Sequence, residues 1–373
     1  MSFEDLMDAF NSGDEVSCYK TMKVRDFIEF NPKESLKKGE LATKVTMDKL
    51  LPFEKFISSM EQAPFSGGSK FKNGDTLLAR ITPCLENGKT AFVDGLKDGE
   101  VAFGSTEFIV LRCREGVSDP QYIYYLATSS FFRNVAIKSM VGSSGRQRVQ
   151  IGALEDIDIK VPSLEEQRKI ASRLALLDSK IALNSRINDN LLKLWETRTR
   201  KLLDSAATTP TLIGEICRPK QWKTLTKSEL TAGAPIDVYG AGGVIGQTRE
   251  PNHNERVIGV VCRGAGCGTL MVIDPPSYVT GNVMCLDNIT NQVGLPCLYA
   301  ILKDRGLSDI VSGSAQPQIT GSSIKNTYIN LPNYEVCNRI TKEGGQTFDM
   351  ININKRENEH LTRIRDLLLS KLF

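Results

Sequence analysis

Residues 141–170 read VGSSGRQRVQIGALEDIDIKVPSLEEQRKI, and 170 positions further on, at 311–340, the chain reads VSGSAQPQITGSSIKNTYINLPNYEVCNRI. The same ungapped shift carries Pro162 onto Pro332, Glu165 onto Glu335 and Ile170 onto Ile340, and it holds beyond the quoted segments. Ile181 meets Ile351, Asn184 meets Asn354, Arg186 meets Arg356, Asn188 meets Asn358 and Leu191 meets Leu361; Lys201-Leu202 meets Lys371-Leu372. Agreement without a gap over about sixty positions, with the matches at helical spacing, marks a duplication.

Each copy has the same order of elements. A Gly-rich, strand-like body comes first, with the runs DTLLARI, TAFVDG and TEFIVLRC in one copy and RVIGVVCR, TLMVID and VMCLDN in the other. These runs are short, β-branched or aromatic, and read as strands. Helical stretches PQYIYYLATSSFFRNVAI and LPCLYAILKDRGL precede the repeated segments, and the strands IDIKVP and TYINLP end at a proline. A long helix follows. Ser163 and Glu166 have capping-box spacing, and Ile170, Leu174, Leu177, Ile181, Leu191, Trp195 and Leu202 step by fours and threes as a heptad seam. Asn184 and Asn188 interrupt it, as Asn354 and Asn358 interrupt the partner seam that holds Ile351 and Leu361; a seam asparagine commonly sets register, the alternative being the solvent edge of a kinked helix. Gly344-Gly345 predicts a late start for the second helix.

Helices paired along these seams must run antiparallel, each carrying one body at its start, and about forty residues at 1.5 Å rise give a rod of about 60 Å. The expected fold class is α+β: two similar α/β lobes joined by two long antiparallel helices that form a coiled-coil spacer, with an internal pseudo-two-fold repeat. Two similar readers at a fixed spacing suit a bipartite linear target, of which DNA is the obvious one.

Composition narrows the setting. The chain has 373 residues, 40% hydrophobic, with a formal charge of +3, a balance that permits a local basic patch without indicating one. No stretch approaches the roughly 18 apolar residues of a membrane span, and the acidic start MSFEDLMDAFNSGDE lacks the layout of a signal peptide. Nine cysteines without a CxxC pair suggest reduced thiols and a cytoplasmic location. Two histidines, His253 and His360, argue against a His-based metal centre or general base.

The segment IKVPSLEEQRKIASRLALLDSKIALNSRINDNLLKLWETRTRKLL resembles the central region of specificity subunits of type I restriction–modification enzymes. There a Pro-Pro-Leu-x-Glu-Gln-like start leads into a long helix; here Val161-Pro162-Ser163-Leu164-Glu165-Glu166-Gln167 stands in its place. The C-terminal copy resembles the family's second such region, with Cys337 where the pattern has Gln, a departure that bears on how the distal helix begins. The resemblance covers the layout of the whole chain. It implies a first target-recognition domain at 1–160, a spacer helix at 161–206, a second recognition domain at 207–332 and a second helix at 333–373. It also implies a non-catalytic subunit that binds double-stranded DNA and two methyltransferase subunits, and in the full complex restriction subunits. S-adenosylmethionine would sit on the methyltransferase partner, with no cofactor on this chain.

Three motifs point elsewhere and fail. IDPPSY, Ile273–Tyr278, has Ser277 where an amino-methyltransferase places an aromatic residue, so a Pro-Pro turn is favoured. YGAGGVIGQ, Tyr239–Gln247, misses the glycine spacing of a dinucleotide loop, and Cys262 and Cys267 have no second pair to make a zinc site. The rival readings are a single-chain adenine methyltransferase, which these failures disfavour, and a duplicated scaffold that does not touch DNA. Candidate DNA contacts come from loops rich in residues that grip phosphates or read base edges. Lys70, Lys72, Arg80, Asn87 and Lys89 lie in the first body, and Arg146, Gln147, Arg148 and Gln150 in the repeated segment. Both halves share that segment, which is therefore expected to grip the backbone or support the lobe rather than read sequence. The second half offers Gln316, Gln318 and Thr320 there, with Gln247, Thr248, Arg249 and Arg263 in its body. Arg80 and Arg263 follow similar strands and are expected to occupy equivalent places.

Overall fold

The structure is a computed structural model that describes residues 19–143, 145–264, 266–313 and 316–373. The acidic start, read above for its lack of a signal peptide, lies outside the described residues. The chain forms two compact units: one ends at Asn184 and takes in Arg356–Phe373, and the other is Ser185–Lys355. Each long helix thus gives half its length to each unit, whereas the expected boundaries kept each helix whole.

In the first unit an antiparallel sheet runs in the order β2 (Ile28–Phe30), β9 (Phe108–Cys113), β6 (Thr76–Ala79), β7 (Thr90–Phe92). A second sheet runs β4 (Glu61–Pro64), β3 (Leu41–Val45), β8 (Ala102–Gly104), β5 (Ser69–Phe71), with β3 and β8 parallel. A ladder of β1 (Lys20–Lys23) with β10 (Asp158–Val161) stands at the junction with the long helix. Four short helices, α1 (Val24–Phe27), α2 (Pro120–Thr128), α3 (Ser130–Lys138) and α4 (Ile151–Glu155), precede the long α5 (Leu164–Ser205). Asp119 caps α2 by accepting from the Gln121 and Tyr122 amides, and Pro120 opens it. Ser129 breaks the expected single helix in two by capping α3.

The second unit repeats this frame with almost no shared sequence in its body. Its antiparallel sheet runs β12 (Arg218–Gln221), β18 (Val283–Asp287), β15 (Val257–Val261), β16 (Leu270–Ile273). Its smaller sheet runs β14 (Gly243–Thr248), β13 (Ile236–Gly240), β17 (Ser277–Val279), again with one parallel pair, β13 with β17. The junction ladder is β11 (Thr208–Leu212) with β19 (Tyr328–Pro332). Helices α6 (Ile213–Ile216), α7 (Leu295–Arg305) and α8 (Gly321–Lys325) precede the long α9 (Tyr334–Leu372). All six strands expected from apolar runs are present, in the sheets β2–β9–β6–β7 and β12–β18–β15–β16; five are largely buried, and Leu270–Ile273 is half-buried at the sheet edge.

The starts of α5 and α9 are built alike. Ser163 Oγ accepts from the Glu166 amide, one arm of the expected box. Gln167 is buried; its Nε2 donates to the Val117 and Pro162 carbonyls and its Oε1 accepts from Asp119 N. In α9 the thiol of Cys337 takes over one of these roles, donating to Pro332 O at 3.4 Å, and Asn333 caps the helix through the Val336 amide. The helix therefore starts normally despite the departure from the family pattern. It also runs unbroken through Gly344-Gly345, which corrects the expected late start. The cause is packing, since a Cβ on Gly344 would stand 2.5 Å from the Pro296 Cβ and 2.9 Å from the Trp195 ring.

Within each unit the long helices run antiparallel. In the first, Asn184 is buried and its Nδ2 donates to Asn358 Oδ1 (2.9 Å) and Glu357 Oε2 (2.7 Å), while Asn358 donates to Ile181 O. In the second, Asn354 donates to Asn188 Oδ1 at 2.7 Å. Ile170 and Leu174 are buried and join Leu177 in the core of the first unit; Ile351 is buried in the second, and Leu191 and Leu361 are half-buried.

Beyond the asparagines the helix pairs diverge. In the first unit Arg365 Nη1 lies 2.9 Å from Asp178 Oδ1, Tyr125 OH donates to Asp178 Oδ2, and Lys55 Nζ reaches Tyr125 OH (3.0 Å) and Gln121 Oε1 (2.7 Å). Shifting by 170 puts Phe348 at the place of Asp178 and Trp195 at that of Arg365, and these two rings pack with Tyr299. A charged network in one unit is an aromatic cluster in the other.

Lys55 is 4% exposed, and burial pulls its ammonium down from 10.5 to about 8 against the partial support of Asp178. An unfolded chain then holds more protons than the folded one between these values, so stability rises with pH there. Relative to Lys55→Met, the first unit should gain about 2 kcal/mol between about pH 8 and about pH 9.5 in urea unfolding. A difference that stays flat would mean that the amine keeps its ordinary proton affinity.

Candidate nucleic-acid interface

In the first unit backbone pairing draws the loop after β6 onto the repeated Gly-rich segment. The Val149 amide donates to Arg80 O (2.9 Å), the Thr82 amide to Gln147 O (3.1 Å) and the Gln147 amide to Thr82 Oγ1 (3.0 Å). Arg146, Arg148 and Gln150 stand exposed on that segment. Arg148 grips Glu107, Nη2 to Oε1 at 2.6 Å, and this bond holds the Glu107 carboxyl below its usual range. Arg80 is half-buried beside them; its Nη2 donates weakly to Val149 O and its Nε is buried without a partner among the described residues. Asn87 is exposed on a turn.

The remaining first-body candidates are engaged within the fold. Lys72 pairs with Glu34 at 2.9 Å, a carboxylate it shares with Arg112, which also binds Asp75. Lys89 Nζ donates to Met47 O at 3.0 Å, and Lys70 lies 5.7 Å from the centre of the Phe65 ring.

The second unit builds the same corner with different side chains. The Ile319 amide donates to Cys262 O (3.0 Å), the Gly264 amide to Pro317 O (3.1 Å), and Arg263 bridges Gln318. Arg263, Gln316, Gln318 and Thr320 are exposed there. Arg249 is exposed just after β14; Gln247 is half-buried, its Oε1 accepting from the Gly233 amide. The expected equivalence of Arg80 and Arg263 does not hold. Val149 and Ile319 correspond, and they donate to Arg80 and Cys262; Arg148 and Gln318 correspond, and they bridge Ile81 and Arg263. The two arginines are thus one residue out of register, and neighbours in extended chain point to opposite sides.

A cleft of about 660 Å³ in the second unit escaped the sequence reading. Arg218, Lys220, Trp222, Asn254, Arg256 and Asn288 are among the residues that line it, with Lys220 Nζ 3.4 Å from the Trp222 ring centre. The available signal was RPKQWK, 218–223, where cations alternate along β12 beside an aromatic residue. The misleading motifs resolve as turns: Pro275-Pro276 lies between β16 and β17 with Ser277 buried, and Gly240–Gly246 belongs to the β13–β14 hairpin.

Each unit also leaves apolar residues of its long helices in solvent. Leu176 is 71% exposed and Leu183 50% in the first, and Leu194, Met350 and Ile353 are exposed in the second, where Leu194 and Met350 line a groove of about 300 Å³. Among the described residues no helix is long and apolar enough to cross a membrane.

Comparison with known proteins agrees with this arrangement. The type I restriction–modification DNA specificity domain matches residues 17–193 and 210–363. The Escherichia coli EcoAI specificity subunit is 37% identical over 113 residues, 30% of this chain and 19% of that one. The E. coli EcoEI specificity subunit is 35% identical over 143 residues, 37% of this chain and 24% of that one, so the matched stretch spans about a fifth to a quarter of these relatives. A solved S subunit of a type I restriction–modification system from M. genitalium, 19% identical, superposes with a TM-score of 0.63 over 97% of this chain and 98% of its own, which is a likeness of fold. With the family pattern matched on both halves of a duplicated frame, the chain belongs to the type I restriction–modification DNA specificity family.

Proposed function

We propose that this chain is the non-catalytic DNA-recognition subunit of a type I restriction–modification complex, each lobe reading one half of a split, asymmetric duplex site. The observation that carries this reading is one backbone frame presenting different side chains at the same place. Arg146 and Arg148 in one lobe are Gln316 and Gln318 in the other. Arginine pairs best with guanine and glutamine with adenine in the major groove, so lobes of one shape would prefer different bases. Lys70, Lys72, Arg80, Asn87, Lys89 and Gln150, with Gln247, Arg249 and Arg263, belong to the same proposal as phosphate or base contacts.

Two methyltransferase subunits would dock on the exposed leucines of the long helices and supply S-adenosylmethionine, with restriction subunits joining the full complex in the cytoplasm. The test is co-expression with the neighbouring methyltransferase, followed by base-by-base mapping of methyladenine. A split motif that vanishes when this chain is left out is the expected result; methylation that ignores the chain would sink the reading. Steeply salt-dependent duplex binding separates it from the scaffold alternative.

One heptad inserted into both α5 and α9 should lengthen the unread gap of the methylated motif by a few base pairs, a heptad rising about 10 Å against 3.4 Å per base pair. Both half-site sequences should stay the same. Altered half-sites would contradict a spacer role for the helices.

A further inference from the structure

We propose that His253, Cys285 and Asp287 form a divalent-metal site of the zinc class in the second lobe. Their ligand atoms lie within 4.8 Å of one another. The proposal goes beyond DNA recognition and does not depend on it.

Hydrogen bonding settles which nitrogen of His253 is free. The Asn252 side chain is oriented by Val279, its Oδ1 accepting from the Val279 amide (2.9 Å) and its Nδ2 donating to the Val279 carbonyl (3.0 Å). That same Oδ1 stands 2.7 Å from His253 Nδ1, so Nδ1 carries the proton. Nε2 then faces Asp287 Oδ1 at 3.1 Å, lone pair against carboxylate if the ring is neutral. Such a contact needs a proton or a metal ion between the two atoms.

Cys285 favours the metal. It is fully buried, and it lies two residues before Asp287 on β18, so both side chains leave the same face of the strand. A proton on His253 would pair with Asp287 alone, and Cys285 would serve only as a small apolar side chain packed with Val257, Ile273, Val279 and Val283. A metal ion recruits all three donors, and thiolate, carboxylate and neutral imidazole balance a dication. An Nδ1–H held by a carbonyl oxygen while Nε2 binds is the usual outer-shell arrangement of a zinc-bound histidine. Burial pushes the Cys285 thiol up, so the ion must displace its proton and binding must weaken as pH falls.

His253 and Asp287 also line the cleft of Arg218 and Lys220, which gives a route of entry and room for water as a fourth ligand. Of the cations in that cleft, Arg256 is already neutralised by Asp274 and Asp349. Bound metal would tie the 252–256 loop to the end of β18, beside Arg218 and Lys220.

The test is titration of the chelator-treated full-length chain with cobalt(II). One equivalent should bring up a thiolate-to-cobalt charge-transfer band, which zinc(II) then abolishes. Cys285→Ala should lose the band. His253→Gln, where the cleft reaches the site, should weaken binding by about tenfold or more while circular dichroism stays native. Cys113→Ala, in the other lobe, should change nothing. No band in the wild type, or one indifferent to both His253→Gln and Cys285→Ala, would overturn the site and leave His253 and Asp287 as a hydrogen-bonded pair.

Discussion

Asp178→Ala is expected to destabilise the first unit by about 3–5 kcal/mol. Asp178 and Arg365 are 4% and 8% exposed, and the carboxylate also accepts from Tyr125. Removing it leaves the buried guanidinium with only the exposed Asp366 as counter-charge and takes from the buried Lys55, linked through Tyr125, the strongest of its opposing charges. The loss is the desolvation of stranded charge rather than the worth of one ion pair, so removing both partners should cost much less. Asp178→Leu combined with Arg365→Met is expected to recover well over half of the single-variant loss. Urea unfolding followed by circular dichroism reads the effect. The chain's two tryptophans, Trp195 and Trp222, lie in the second unit, so their fluorescence separates the units. A single-variant cost below about 1 kcal/mol would mean that the pair is solvated like a surface bridge.

Gly344→Ala should destabilise the second unit by about 1–3 kcal/mol, whereas Gly345→Ala should stabilise it by about 0.5–1 kcal/mol. Both glycines are inside α9, where alanine is ordinarily the better residue. A Cβ at 345 meets nothing within 4 Å, while one at 344 meets Pro296 and Trp195 well inside contact distance. Position 344 corresponds to Leu174, which is fully buried in the first unit, and Trp195 corresponds to Arg365. The space given up by the leucine is the space filled by the indole. Thermal unfolding watched through Trp195 fluorescence reports both changes, and equal signs for the two variants would refute this packing account.

What the sequence disclosed follows from range. The duplication, both long helices and six strands of the sheets that hold β6 and β15 were legible because their apolar residues repeat within a few positions, whereas Ile28–Phe30 and Arg218–Gln221 in those sheets were not. Strands such as Glu61–Pro64 and Gly243–Thr248 carry no such alternation; they form by antiparallel pairing with Leu41–Val45 and Ile236–Gly240, which in turn depend on the parallel partners Ala102–Gly104 and Ser277–Val279 far along the chain. The candidate site was legible as composition but not as geometry. Nothing near Lys72 announces Glu34, and the one-residue offset between Arg80 and Arg263 shows only in the hydrogen bonds of Val149 and Ile319. Gly344 misled for the same reason: helix propensity is local, whereas the Trp195 ring it accommodates is 149 positions away.

The exchange of a charged network for an aromatic cluster has a consequence for how such chains can be recombined. Suppose a gene fusion replaced the first lobe's body with the second's and left the long helices in place. Tyr299 would then meet Asp178 and Arg365, an ion pair stripped of its tyrosine and lysine partners. In the reciprocal fusion Lys55 would face Phe348 and Trp195 and lose Asp178, the strongest of the carboxylates that support its charge. Body and helix half therefore behave as one inherited cassette. New target combinations should arise by trading a lobe with the same lobe of a related chain, and rarely by shuffling the two lobes within one gene.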